Sequence, residues 1–189
     1  VYSGQTMMWS ARMWWMLRAM GFTNAAILDG GWEKWEREGR PTSSKDEPYP
    51  PARFTPRPQA GMWADKHEVL RNIHDPSVCT INALQPDIYD GQINRYGRAG
   101  HIPGSHNVYY NSLLDPEDGT YLPPDALKQR FDASGALDRR TVVYCGGGVS
   151  AGLDAIALAM LGHKDFAIYD GSMFEWCMDP DLPLVRSEE

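Results

Sequence analysis

Two kinds of segment alternate along this chain. Short apolar runs at Val78–Asn82, Thr141–Tyr144 and Phe166–Ile168 are too brief for helices and lie between turn residues, so they predict buried strands. Longer stretches at Met8–Met20, Pro124–Ser134 and Gly152–Leu161 predict helices, with shorter ones at Gly31–Arg37 and Ser172–Cys177 and a helical turn at Pro86–Tyr89. Asp65 reads as an N-cap, with Glu68 placed to complete a capping box. "GHIPGSHNV" reads as a turn leading into a short strand at Ser105–Val108. Val1–Tyr2 is read as the end of a strand and Ala25–Leu28 as another, short and buried. Strands that alternate with helices predict an α/β fold with a mainly parallel sheet flanked by helices.

The pattern occurs twice. "VYSG" at Val1–Gly4 matches "VYCG" at Val143–Gly146, and "MGFTNAAILDGGWEKW" matches "LGHKDFAIYDGSMFEW". Gly21 pairs with Gly162, Ile27 with Ile168, Asp29-Gly30 with Asp170-Gly171 and Trp35 with Trp176. The identities keep their order and nearly constant spacing, the first copy holding one extra residue, so the period is that of a domain and not of a solenoid unit. A long run of chain precedes Val143, and none precedes Val1. The expectation is one complete domain plus the C-terminal half of a preceding one. Between them lie Pro41, Pro48, Pro50, Pro51, Pro56 and Pro58, which exclude helix and central strand and predict an extended linker. The division is therefore 1–40 as the half-domain, 41–60 as the linker and 61–189 as the complete domain. An uncovered half-sheet invites self-association.

Composition narrows the partners. A formal net charge of -7 with no basic tract argues against nucleic acid. No run reaches the length of a membrane span and no signal peptide is visible, so no membrane partner is expected. The cysteines, Cys79, Cys145 and Cys177, are odd in number and widely spaced, which indicates neither a disulfide framework nor a zinc site. A reducing, cytoplasmic compartment and the absence of any metal follow as expectations.

The chemistry concentrates in "TVVYCGGGVSAG", residues 141–152. A strand delivers Cys145 to the carboxyl edge of a parallel sheet, where sites in open α/β sheets lie. Gly146, Gly147 and Gly148 open backbone conformations closed to other residues. A turn of this kind, followed by a helix N-terminus, aims the N–H groups of Gly146, Gly147, Gly148, Val149 and Ser150 at an anion. Such surroundings stabilise a thiolate. The bland alternative is a small buried cysteine before an ordinary strand–helix turn. A phosphate cradle is a third reading, but no Walker lysine follows.

Residues 61–189 resemble a rhodanese domain, and the whole chain is similar to tandem-domain sulfurtransferases. The resemblance is carried by "RAGHIPGSHNV", "CGGGVSA" after "VVY", and "YDGSMFEWCMDPDLP". It implies a ping-pong transfer in which Cys145 takes sulfur from thiosulfate or 3-mercaptopyruvate as a persulfide and passes it to a thiol or cyanide. It implies no cofactor. Ser3 stands where the second copy has Cys145, so the first copy is expected to be non-catalytic.

Several positions depart from the family. Gly146–Gly152 lack the basic side chains of thiosulfate-specific members, and Gly147 stands where the mercaptopyruvate class often has serine. Asn82-Ala83-Leu84 replaces an Asp-x-Arg pattern, leaving Arg98 and Arg95 as candidate substrate-anion binders. These departures sustain an alternative: a catalytically weak module that carries sulfur for a protein partner or only binds one. A cysteine phosphatase is disfavoured, because its loop ends in an arginine and this one does not. Ser150 reads first as a helix N-cap, His101 and His106 as turn anchors, and Cys79 as core, while Cys177 is a weak candidate resolving thiol.

Overall fold

The computed structural model describes residues 1–187. Five short strands form one sheet: β1 (Trp63–Ala64), β2 (Val78–Asn82), β3 (Ser105–Asn107), β4 (Arg140–Tyr144) and β5 (Phe166–Tyr169). Every pairing is parallel and the order is β1-β5-β4-β2-β3. β4 is therefore central, with Val143 in register with Ile81 of β2 on one side and Ile168 of β5 on the other. The inner strands β4 and β5 read as largely apolar runs because both faces of the sheet are covered there, whereas the edge strand β3 is Ser-His-Asn.

Seven helices accompany the sheet: α1 (Met8–Ala19), α2 (Gly31–Arg37), α3 (Lys66–Asn72), α4 (Pro86–Tyr89), α5 (Pro124–Asp132), α6 (Ala151–Met160) and α7 (Ser172–Met178). Two 3₁₀ turns, Tyr110–Leu113 and Ala136–Asp138, complete the elements among the described residues. α3 begins at the expected cap, with Asp65 Oδ1 accepting from the Glu68 N–H at 2.8 Å. Only that half of the capping box is seen: the Glu68 carboxylate instead meets Arg140 at 2.8 Å.

α6 has no polar face. Every residue from Ala151 to Leu158 is buried, as befits a helix covered on both sides. One side lies on β4 and β5, and the other is covered by α1. The two helices cross where a Cβ added to Gly152 would lie 3.0 Å from the Ala11 backbone. Trp15 of α1 is buried beside Phe166 and Trp63, with ring centroids at 5.2 and 6.2 Å. α2 is tied to the loop before α5 by the Lys34–Asp118 ion pair at 2.8 Å, and Asp29 Oδ1 accepts from the Tyr121 N–H at 2.9 Å.

The expected strands at Val1–Tyr2 and Ala25–Leu28 do not form. The two segments do exchange bonds, Val1 ammonium to Ala26 carbonyl at 2.6 Å and Leu28 N–H to Val1 carbonyl at 2.9 Å. No further strand flanks either of them among the described residues, so the ladder does not propagate. Residues 41–60 contain neither helix nor strand. Their far end is nonetheless anchored: the Arg57 and Gln59 N–H groups reach the Met20 and Ala19 carbonyls, both at 2.8 Å, and satisfy orphan acceptors at the end of α1. Among the described residues, no helix is long and apolar enough to cross a membrane.

Candidate active site

Cys145 follows the central strand β4 at the carboxyl edge of the sheet and is 1% exposed. α7 holds the start of its loop. The Met173 N–H donates to the Cys145 carbonyl at 3.0 Å and the Phe174 N–H to the Gly146 carbonyl at 2.9 Å. Ser172 Oγ accepts from the Cys145 N–H at 3.1 Å and donates to the Tyr169 carbonyl at 2.8 Å. Ser172 has φ 50, a left-handed conformation that a side chain tolerates only at some cost. With the first carbonyls turned to α7, the N–H groups of Gly146, Gly147, Gly148, Val149 and Ser150 find no acceptor among the described residues. Donors left free in this way, followed at once by the N-terminus of α6, are groups of the kind that can receive an anion.

Each glycine has its own reason. A Cβ on Gly146 would overlap the Tyr96 hydroxyl and lie 2.7 Å from the Tyr96 Cζ. On Gly147 it would press on the Phe174 ring at 3.0 Å. Tyr96 and Phe174 meet edge to face, with centroids 5.1 Å apart, and together roof the loop. Gly148 has φ +73, and a Cβ there would lie 2.8 Å from the Asp170 carbonyl and 3.0 Å from Arg12 Nη1.

Of the two candidate anion binders, Arg98 is already engaged. Its guanidinium donates to the Asp179 and Leu182 carbonyls, both at 2.8 Å, and so braces the segment after α7. Arg95 is exposed, and its charge acts on Tyr96 and Tyr110, two tyrosines that also feel Cys145. Burial raises Tyr96 and, with Tyr109 as a lesser cause, pushes Tyr110 up to about 12, so both remain hydroxyl donors.

Sequence reasoning missed four residues around the loop: Tyr96, Ser172, Arg12 and Asp154. Asp154 is wholly buried on α6, and neither carboxylate oxygen has a hydrogen-bond partner among the described residues. Burial raises its pKa well above the usual carboxylate range, and Cys145 acts in the same direction. Its place in an otherwise apolar helix, so near the loop, was the one signal available.

Other side chains take simpler roles. Ser150 stands at the N-cap of α6 but makes no side-chain capping bond. His101 anchors the turn, with Nδ1 2.8 Å from the Tyr89 carbonyl and its ring stacked on Tyr89 at 3.7 Å. His106 is exposed. Cys79 is core, and burial raises both the Cys79 and Cys177 thiols. Ser3 reproduces the backbone setting of Cys145: its carbonyl accepts from the Trp32 N–H at 3.2 Å, as that of Cys145 does from Met173.

The model of the rhodanese-like domain matches residues 1–38 and 66–179. Thiosulfate/3-mercaptopyruvate sulfurtransferase 1, mitochondrial, of Arabidopsis thaliana is 33% identical over 213 residues, covering 100% of this chain and 56% of that protein. A probable 3-mercaptopyruvate sulfurtransferase of Pseudomonas aeruginosa is 31% identical over 95% of this chain and 64% of its own length. The crystal structure of SseA from Escherichia coli, a 3-mercaptopyruvate sulfotransferase of "rhodanese" fold, superposes with a TM-score of 0.78 at 29% identity, covering 91% of this chain and 65% of that one. The chain thus spans less than two thirds of the length of these relatives. On this match across both copies of the repeat, the chain belongs to the rhodanese-like family.

Proposed function

We propose that this chain carries out sulfur transfer through a persulfide on Cys145. One observation carries the reading: Cys145 follows the central strand in a loop whose next five N–H groups are without acceptors among the described residues. The Cys145 thiolate attacks the outer sulfur of the donor. With thiosulfate, the S–S bond breaks and sulfite leaves with the electron pair. With 3-mercaptopyruvate, the C–S bond breaks and the enolate of pyruvate leaves, taking up the proton of the donor thiol. The outer sulfur, now an anionic persulfide, rests against the free N–H groups. A thiol or cyanide acceptor then attacks it and restores Cys145. The names of the relatives support both donors. In this reading residues 61–189 carry the site, and residues 1–40, with Ser3 in place of the nucleophile, serve as its non-catalytic companion.

Mass spectrometry after incubation with each donor tests the proposal. The Cys145 peptide should gain one sulfur, and Cys145→Ser should abolish both the gain and turnover, while Cys79→Ser and Cys177→Ser keep most activity. Wild-type turnover in Cys145→Ser would overturn the reading.

A further inference from the structure

Arg12 lies on α1, far from the loop in sequence, yet its side chain ends on the loop. Nη1 donates to the Gly148 carbonyl at 3.1 Å and is ion-paired with Asp170. The guanidinium also sits over the Trp63 ring, 4.8 Å from its centroid. Three contacts of different kinds therefore fix one planar group, and its fork suits two acceptors at once.

The carbonyl it holds belongs to the Gly148–Val149 peptide. In a trans peptide C=O and N–H point in opposite directions, and there is no cis peptide bond among the described residues. Drawing the Gly148 oxygen toward α1 turns the Val149 N–H away from α1. That N–H is one of the donors without an acceptor. Gly148, at φ +73, is the residue in the loop best able to let this peptide rotate, because glycine adopts either sign of φ with little penalty. A rotated peptide would place a carbonyl where the cradle needs a donor, setting a partial negative charge against an anionic sulfur.

We infer that Arg12 is a positioning residue: it locks the Gly148–Val149 peptide so that the amide cradle beside Cys145 faces an anion with donors alone. Through it the N-terminal segment, which lacks a nucleophile of its own, governs the reactivity of the loop. The inference rests on the proposed persulfide chemistry of Cys145.

The test uses the full chain with Arg12→Gln, Arg12→Lys and Asp170→Asn, and Trp14→Phe as a control that alters packing between α1 and α6 without touching the loop. Three quantities are read: kcat and KM for sulfur transfer, the pH profile of Cys145 alkylation by iodoacetamide, and the thermal midpoint. Removing one oxyanion donor lowers kcat by about 10²–10³-fold. Arg12→Gln should lose about 10²-fold in kcat with a much smaller change in KM, and its alkylation profile should move to higher pH. Arg12→Lys should fall between it and the wild type, Asp170→Asn should move the same way by less, and Trp14→Phe should leave the profile unchanged. A folded Arg12→Gln with wild-type kcat and profile overturns the inference. If Arg12→Gln does not fold, unchanged profiles in both Arg12→Lys and Asp170→Asn overturn it. Failure of the wild-type chain to gain sulfur on Cys145 would instead overturn the persulfide reading itself.

Discussion

Tyr96 and Gly146 occupy one space between them, so their substitutions should couple. Gly146→Ala in the native background forces the Tyr96 ring off the loop and should lower stability by about 1–3 kcal/mol, the usual cost of overpacking. In a Tyr96→Ala background the same change should cost little. A double-mutant cycle by thermal unfolding checks this, and additive effects would refute the steric account. Asp154 yields a prediction about pH. Burial, first, and Cys145, second, raise its pKa, so the folded state holds its proton more tightly than the unfolded chain does. Stability from this group is complete below the ordinary carboxylate range and is lost progressively as pH rises toward the raised value. Asp154→Asn should therefore flatten the decline of the thermal midpoint between about pH 5 and pH 8, and parallel curves for the two proteins would count against it. The donor preference should lean toward 3-mercaptopyruvate. The loop has no basic side chain and Arg98 is engaged with carbonyls, which leaves Arg95 to meet a carboxylate but little to balance a dianion. Comparing kcat/KM for the two donors decides it; a clear thiosulfate preference sinks the idea. Cys145 and its glycines can be read from the sequence because they are contiguous. Tyr96, Ser172 and Arg12 cannot, because each reaches the loop from a different element, whereas Asp154 is marked in the sequence as the one charge in the apolar helix that follows the loop. Arg98 looks free in the sequence because its carbonyl partners lie beyond α7.

The helices are the most legible elements, since α2 and α4 fall at their expected residues and α1, α5, α6 and α7 within a residue or two. Their length and the turn residues that bound them are local, and local signals survive tertiary packing. Strands need partners, and partners are not local. Ala25–Leu28 has the composition of a buried strand but only Val1 beside it as a ladder partner, so it remains irregular, while Trp63–Ala64, too short to show any alternation, becomes a strand because β5 offers it an edge. α6 shows what close helix packing demands. Gly152 is the point of contact with Ala11, and a side chain there has 3.0 Å to the facing backbone. Backbone cannot yield as a flexible side chain does, so Gly152→Val should separate α1 from α6 and lower the thermal midpoint. Because α1 carries Arg12, turnover should fall further than in a variant of equal stability loss elsewhere, such as Leu127→Ala in α5. Equal turnover in the two variants would show that the crossing matters for packing alone.

Across the whole molecule, the segment before the linker is bound to the rest by α1 on α6, by α2 on the loop before α5, and by Arg12 on the loop after Cys145. Removing residues 1–60 would uncover Gly152, Ile156 and Ala159 and strip Trp15 from Phe166. Residues 61–189 alone should unfold at a lower temperature than the full chain and show weaker turnover even well below that midpoint. An equal midpoint and equal turnover would mean that the N-terminal segment is an ornament of the fold. The repeat read in the sequence does not say which faces of α1 and α6 meet, because that depends on three-dimensional shape. Ala11 and Gly152 meet where α1 crosses α6, so the residues before the linker and those after it share one packing surface. Arg12 stands on one side of that surface and the loop after Cys145 on the other, joined through the Gly148 carbonyl. A change that shifts the crossing therefore reaches the loop without touching any of its residues.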